Sequence, residues 1–512
     1  MLTVSAPRTT WDVVLPDEGA TERLAMDLAV ALDPGDVITL SGDLGAGKTT
    51  LARAVIRYLA GNARLEVPSP TFTLLQAYDL PRFSIVHADL FRVETLAELA
   101  ELGWDEAADG AVLFVEWPER AGNLIQTDRL DIALSIAPDL GPTYRQVRLS
   151  GYGTWMQRLE RLRAARALID ASGFGSARRR RIQGDASTRS YERLALSGTS
   201  VILMNAPPRP DGPPVKNGLP YSAIAHLAEN MRPYVAIARH LREKGFSAPE
   251  IIAADIESGL LLIEDFGNKG IVVGESPTPI EERYETAIDV LIALHKLELP
   301  AKLPVAPRIE YEIPPYDLDA YLIELELLLE WYLPHRGATL AADARAQFET
   351  LWRAALEEPI AAPKTWVLRD FHSPNLLWLP ERREIARIGI LDFQDTLIGP
   401  HAYDVASLLM DARADVSETL ELALMSRYAI GRGANDPSFD LSGFARQYVT
   451  LGAQRATKIM GIFARLDRRD GKPQYLKHLP RVRNYLMRAL AHPSLEGLKA
   501  WYETNVPPAA ET

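Results

Sequence analysis

Ser41-Gly42-Asp43-Leu44-Gly45-Ala46-Gly47-Lys48-Thr49-Thr50 decides how the first third of this 512-residue chain folds. Gly42 to Thr49 complete the pattern G-x-x-x-x-G-K-[ST], with an apolar run at 37–40 before it and a helix-patterned run at 49–60 after it. Strand, glycine loop and helix in that order make the pattern a phosphate site. The glycines let backbone N–H groups approach phosphate oxygens, and the helix N-terminus adds a favourable dipole. Residues 42–50 are therefore assigned to nucleotide binding, with Lys48 reaching the β- and γ-phosphates of ATP and Thr49 holding Mg²⁺.

Working outward, 512 residues suffice for about three domains at the usual ~150 residues each. There is no cysteine, which excludes disulfides, thiolate metal sites and cysteine nucleophiles. No apolar run approaches the ~20 residues that span a membrane, and the N-terminus lacks a basic region followed by an apolar core. The expectation is a cytoplasmic protein. Residues 1–150 carry 12 Lys and Arg against 22 Asp and Glu, and the remainder 44 against 46. An acidic N-terminal domain lacks the cations that phosphate contacts need, so any service to RNA would run through a protein partner.

Around the loop, apolar spacing predicts a helix over 18–32 and strands over 83–87 and 111–115. Val67-Pro68-Ser69-Pro70-Thr71 reads as a rigid turn, since two prolines disfavour helix there. The second strand ends at Glu116-Trp117-Pro118-Glu119-Arg120, a carboxylate placed where a phosphate-loop ATPase organises Mg²⁺ or water. GDLGAGKTT at 42–50, PSPTF at 68–72, HADLFR at 87–92, ELGWDE at 101–106 and VEWPER at 115–120 occur in the order of one family. Residues 10–150 resemble the TsaE-type ATPase subunit that supports threonylcarbamoyladenosine synthesis on tRNA. The resemblance implies ATP and Mg²⁺, with Thr71 a hydroxyl near the metal, Asp89 and Glu116 the acidic residues near the γ-phosphate, and Trp117 in the same site. It also implies docking on the threonylcarbamoyl-transferase complex, with tRNA met only indirectly.

Residues 151–181 read as a basic helical linker: a helix over 154–171 with Met156, Leu159, Leu162, Ala165 and Leu168 along one side, then the run Arg178 to Arg181. Such a run is solvated, pairs with an acidic neighbour, or touches RNA. Beyond it, Gly184-Asp185-Ala186-Ser187-Thr188-Arg189 is a small, polar loop followed by a strand-like segment over 191–195 and a second strand over 200–204, a hairpin of the kind that folds over phosphates in a kinase N-lobe. Gly184, Ser187 and Arg189 are its nucleotide-binding candidates. A loop over 206–220, a helix over 222–244, strands at 251–254 and 260–264, a helix over 280–296 and two helices within 316–357 follow. His295 lies on an apolar helix face and is read as a hydrogen-bonded core residue. Glu324 and Glu326 either line a cleft or pack.

A second chemical centre sits in Leu368-Arg369-Asp370-Phe371-His372-Ser373-Pro374-Asn375 and Ile388-Gly389-Ile390-Leu391-Asp392. The interval D-x-x-x-x-N puts a base and a metal-binding amide on one kinase catalytic loop. Asp370 would accept or orient the proton of the attacking hydroxyl, and Asn375 and Asp392 would bind Mg²⁺. The interval between the latter two suits a short β-hairpin. These residues resemble the aminoglycoside phosphotransferase/choline kinase superfamily. GDASTRSY at 184–191, ILMNAPP at 202–208, LRDFHSPNLLWL at 368–379, LDFQDTLIGPHAYDVASLL at 391–409 and KIMGIFARLDRRDGKPQYLKHLP at 458–480 narrow the resemblance to AmgK-type anomeric kinases of N-acetylmuramate and N-acetylglucosamine. The chain departs from the pattern at Leu368, where a His is usual, in Val201–Asn205, where no Lys stands, and at Asn205, where an Asp is expected. Arg189 and Lys216 are the candidates for the missing cation.

The resulting expectation is an α/β P-loop NTPase domain (1–150), the linker (151–181), and an α+β bilobal protein-kinase-like domain (182–500; N-lobe about 182–268, C-lobe about 269–500). The implied activity is a bifunctional fusion of a tRNA-modification ATPase with an amino-sugar kinase. Two readings compete for the second part: an aminoglycoside- or choline-type kinase, and a non-catalytic nucleotide-binding module.

Overall fold

Runs of Val, Ile and Leu bounded by glycine and polar turns give the N-terminal region its strands, and apolar residues at helical spacing give it its helices. The computed structural model describes residues 8–101, 103–182, 189–208, 212–434 and 436–507. Gly184 and Ser187 lie outside the described residues. Among the described residues no helix is long and apolar enough to cross a membrane. The chain divides into two compact units, Met1–Gln183 with Tyr191–Asn205, and Gly184–Ser190 with Ala206–Thr512.

The first unit is built on seven strands: β1 (Thr9–Leu15), β2 (Val37–Ser41), β3 (Leu75–Asp79), β4 (Ser84–Asp89), β5 (Val112–Glu116), β6 (Arg129–Ile136) and β7 (Arg145–Tyr152), in the order β1-β7-β6-β2-β5-β4-β3. The central strands β4, β5, β2 and β6 run parallel. Parallel strands buried on both faces read as continuous apolar runs, and Val112-Leu113-Phe114-Val115 is buried throughout. Each such side chain contributes about 1.5–3 kcal/mol of burial. Helices α1 (Glu18–Ala31) and α2 (Lys48–Leu59) share a core with these strands, and the Asp17 side chain caps α1 by accepting from Ala20 N at 2.7 Å. In an open parallel sheet, ligands meet the carboxyl ends of the strands. The register pairs Leu40 with Glu116 and Asp89 with Glu116, so the ends of β2, β5 and β4 come out side by side.

The helix Trp155–Ala171 is not a linker. It packs on β7, β1 and α1 and buries Trp155, Leu159, Leu162, Ala165 and Ile169. Trp155 and Ile169 are buried where Met156 and Leu168 were expected, while Leu159, Leu162 and Ala165 lie on the buried side as expected. Its basic residues pair inward: Arg158 with Asp36 at 2.6 Å, and Arg166 with Asp27 at 2.7 Å. The run at 178–181 is solvated at Arg178, Arg180 and Arg181 and paired with acidic neighbours at Arg179, as the sequence allows. Arg178–Ile182 is strand β8, followed by β9 (Ser190–Leu196) and β10 (Thr199–Asn205), so alternate arginines face opposite ways. Arg179 is buried, paired with Glu192 on β9 at 2.8 Å and with Asp27 on α1. The 191–205 strands thus belong with the first unit rather than with the rest of the kinase-like region.

Asp27 therefore holds two buried or half-buried guanidinium groups at once. Removing one partner of a buried pair leaves an uncompensated charge, at a cost of about 3–5 kcal/mol. Asp27→Asn is expected to lose about that much stability in urea unfolding of the full chain, with loss of the Arg179 pairing as the cause. A loss within experimental error of zero would contradict the network's role.

The second unit is mainly helical. The sequence's single helix over 222–244 is two, Tyr221–Ile224 and Arg232–Glu243, and the loop over 206–220 contains the small strands Pro214–Lys216 and Leu219–Pro220. Pro233 in the first turn marks the restart of the longer helix. Ile251–Asp255 and Leu260–Glu264 pair antiparallel as expected. Helix Leu318–Leu327 runs into π-type turns over Leu328–Tyr332, against which the long helix Leu441–Asp470 packs. The close approach is made at Gly461, where an added Cβ would lie 2.3 Å from the Leu327 carbonyl carbon. His295 is buried, with Nδ1 2.6 Å from the Tyr428 hydroxyl, a core residue.

Two candidate nucleotide sites

At the ends of β2, β5 and β4, Thr49 Oγ1 donates to Glu116 Oε1 at 2.7 Å, and the same oxygen meets His87 Nε2 at 2.9 Å. Asp89 accepts from Thr71 Oγ1 at 2.6 Å and from Ser69 Oγ at 3.1 Å. Lys48 Nζ donates back to Gly42 O (2.6 Å) and Asp43 O (3.1 Å) and lies 4.0 Å from the Trp117 ring centre. Trp117 has φ 57°, a left-handed conformation at the strand end. Strained backbone of this kind persists where surrounding structure imposes it, here with Trp117 N held by Leu40 O at 3.2 Å.

The loop fits a phosphate group. Gly42 has φ 134° and an added Cβ there would lie 2.1 Å from Leu134 O, so no other residue fits. Gly47 caps α2 without any side-chain hydrogen bond, leaving its first N–H groups for an anion. Asp43, Gly45 and Ala46 continue the loop, which Arg145 braces through Nε to Ala46 O at 3.1 Å; Leu44 is 82% exposed, and Thr50 is half-buried on α2. His87 and Arg145 were not singled out from sequence. His87 lies inside the HADLFR block, and its position two before Asp89 on one strand was the available signal.

In the second unit, Asp370 sits on a loop fixed from behind. Arg369 has φ 69°, and Asp404 accepts from Leu368 N (2.6 Å) and Arg369 N (2.9 Å). Asp411 accepts from Ser373 N at 2.7 Å. Leu368, in the place of the usual His, is buried and tied through its backbone to Asp404. Asn375 Nδ2 donates to Asp370 O at 3.0 Å, which commits the nitrogen and leaves the amide oxygen as the group's acceptor. Leu376–Trp378 and Ile388–Ile390 form the expected hairpin, and Leu391 N donates to Asn375 O at 2.9 Å, returning the chain to Asp392. Asp392, at φ 56°, pairs with Arg189 at 2.7 Å and accepts from Gln394 Nε2 at 2.8 Å.

Electrostatics separates the two aspartates. Burial would raise the Asp370 carboxyl, but Arg455, His372, Lys458 and Arg369 outweigh it and hold it down at about 2. Arg455 Nη1 stands 3.6 Å from Asp370 Oδ1 and donates to Arg369 O at 3.1 Å. Burial lifts the Asp392 carboxyl, against Arg189 and with help from Asp370 and Asp395. Burial likewise pushes His372 down to about 4. Asp392 is thus paired with Arg189 and at the same time crowded by the like charges of Asp370 and Asp395. Asn375 and Asp392 offer hard oxygen donors, and among the described residues no group of three or more His, Asp or Glu could cage a metal alone. That set suits Mg²⁺, which takes one or two protein ligands and completes its shell with phosphates and water.

Of the two candidate cations, Arg189 reaches Asp392, whereas Lys216 does not come to the site: it pairs with Glu326 at 2.9 Å. Asn205 meets Arg161 within the first unit. Arg455, Lys458, Asp404 and Asp411 were missed as site residues. Their signal was present as cations three apart in an apolar helix and carboxylates around the apolar run Ala402–Leu409.

Glu324 packs rather than lining open space. It is fully buried against Arg369, Lys458 (2.7 Å) and the Tyr316 hydroxyl (2.6 Å). Burial raises its carboxyl, but Lys458 and Arg369 prevail and set it at about 2, below its ordinary 4.5. A depressed carboxyl stabilises the fold fully above its unfolded pKa and loses that contribution as protons bind. The second unit is therefore expected to lose stability as pH falls from 4.5 toward 2. Urea unfolding across that range should show a weaker pH dependence for Glu324→Gln, and an unchanged one would contradict the assignment.

The family model described as "Threonylcarbamoyl adenosine biosynthesis protein TsaE" matches residues 15–141, and that described as "Phosphotransferase enzyme family" matches residues 178–439. An N-acetylmuramate/N-acetylglucosamine kinase of Caulobacter vibrioides is 38% identical over 361 residues, 68% of this chain and 97% of that protein. Its namesake in Pseudomonas aeruginosa is 34% identical over 312 residues, 60% of this chain and 82% of that protein. A tRNA threonylcarbamoyladenosine biosynthesis protein TsaE of Rickettsia felis is 39% identical over 124 residues, 24% of this chain and 72% of that protein.

Proposed function

Since this chain belongs to the phosphotransferase enzyme family and, through its N-terminal region, to the TsaE family, we propose that it is a bifunctional ATP-dependent protein. The C-terminal part transfers the γ-phosphoryl group of ATP to the anomeric hydroxyl of N-acetylmuramate or N-acetylglucosamine. The N-terminal part is an ATPase serving threonylcarbamoyladenosine modification of tRNA.

The observation that carries the kinase reading is the convergence of Asp370, Asn375 and Asp392 on one braced loop and hairpin. Asn375 and Asp392 would hold Mg²⁺, which when bound neutralises phosphate charge. A carboxyl held at about 2 is a weak base, so Asp370 acts by accepting a hydrogen bond from the attacking hydroxyl and aiming it. An anomeric hydroxyl is more acidic than an ordinary alcohol, which suits so weak a base. Arg189 supplies the positive charge that no strand lysine brings. Catalysis rests on position and electrostatics.

In the N-terminal part, the loop at 42–49 cradles phosphate, Thr49 and Glu116 organise Mg²⁺, and Thr71 and Asp89 form the neighbouring hydroxyl–carboxylate pair. The protein partners are those of the threonylcarbamoyl-transferase complex. The acidic charge of residues 1–150 and the apolar side chains of Leu44 in the loop and Phe72 next to Thr71, each 82% exposed, favour a protein surface over RNA. Phosphate transfer from ATP to each sugar, with the product's linkage assigned, tests the kinase. Turnover of cationic aminoglycosides or choline alone would overturn it in favour of that family branch, and ATP binding without transfer would favour a regulatory module.

A further inference from the structure

A cavity of about 930 Å³ opens in the second unit, walled by Tyr221, Leu227, Ile323, Trp331 and Arg465 among others. Ala228 in its wall donates its backbone N–H to Asp395 at 2.6 Å, three positions beyond Asp392. Tyr221 in the same wall lies in the field of Glu324, Lys458 and Arg369, the group that borders Asp370. One end of the cavity therefore adjoins the phosphoryl-transfer residues.

The charges on the wall are mostly matched. Glu326 pairs with Lys216 at 2.9 Å, Glu330 with Arg345 at 2.6 Å, and Arg469 with Asp470 at 2.7 Å. Glu229 and Arg465 lie outside these pairs. Arg465 forms no ion pair among the described residues, its Nε is buried without a hydrogen-bond partner, and its guanidinium stands over the Tyr221 ring at 5.4 Å. Burial and the neighbouring Arg469 both disfavour its charge. A half-buried guanidinium with an unmet donor calls for an anion, and a planar carboxylate matches its fork.

Lys458, which pairs with the same Glu324 that holds Arg369, and Arg465 are seven residues apart on helix Leu441–Asp470, so they share a face roughly 10 Å apart along the axis. N-acetylmuramate bears a lactyl carboxylate where N-acetylglucosamine bears a hydroxyl.

We infer that this cavity is the acceptor site and that Arg465 binds the carboxylate of an acidic amino sugar, making it the residue that separates the acidic acceptor from the neutral one. The inference rests on the sugar-kinase reading above.

The test compares KM and kcat of the full chain and of Arg465→Met for N-acetylmuramate and N-acetylglucosamine. The variant is expected to raise KM for N-acetylmuramate about ten- to hundredfold, with KM for N-acetylglucosamine and both kcat values little changed. Arg465→Lys should recover part of the loss. Equal effects on both sugars would overturn the inference while leaving the kinase reading intact. Wild-type protein that phosphorylates neither sugar would overturn both. Should Arg465→Met fail to fold, the wild-type protein decides: the methyl ester of N-acetylmuramate should show the same rise in KM, and an ester that binds like the free acid would overturn the proposal.

Discussion

Asp370→Asn is expected to abolish sugar phosphorylation, lowering kcat by about 10²–10⁴-fold. The substitution keeps the side chain's shape, so the loop bonded by Asp404 and Asp411 should stay in place. What it removes is an acceptor facing the hydroxyl and a negative charge set among Arg455, His372 and Lys458. Its effect should fall on kcat more than on KM for the sugar, because the hydrogen bond matters most as the hydroxyl becomes nucleophilic. Phosphate-loop ATP hydrolysis, measured in the same preparation with the transferase partners added, should be unchanged. Loss of both activities together would argue against two independent centres.

The converse substitution, Lys48→Ala, is expected to lower ATP hydrolysis at the phosphate loop by roughly 10²–10³-fold while sugar phosphorylation persists. Lys48 is buried and holds two carbonyls of its own loop, Gly42 O and Asp43 O. Those bonds place the ammonium group over the cradle where phosphate charge would lie. Its removal therefore costs both the cation and part of the loop's order. Retained sugar-kinase turnover serves as the check that the chain has folded. If ATP hydrolysis survives, Lys48 does not contact the nucleotide.

Much of both centres was legible because the chemistry is written in short, contiguous stretches. Gly42 to Thr49 need no distant residue to be recognised, and neither do Asp370 and Asn375 with the hairpin to Asp392. What remained hidden depends on groups far apart in sequence. Arg455 and Lys458 set the charge of Asp370 from a helix well downstream; their spacing of three marks them as neighbours on that helix but not as facing that loop. Lys216 and Arg189 looked equivalent as candidate cations. Only their surroundings separate them, with Glu326 beside one and Asp392 beside the other.

The junction shows the same division. Composition and spacing were enough to predict a helix near 154–171 and a break after it. They could not say that the helix belongs to the first unit, since its pairing carboxylates, Asp27 and Asp36, lie more than a hundred residues upstream. Four consecutive arginines read as a charged run on a line. In a strand they alternate, and Arg179 turns inward to Glu192 and Asp27. The sequence by itself determined two phosphate-handling chemistries, because backbone conformation and motif geometry are local. The tertiary structure alone decided which charges are buried, what neutralises them, and that Arg465 forms no ion pair among the described residues, because ion pairing and desolvation depend on distance in space and not along the chain.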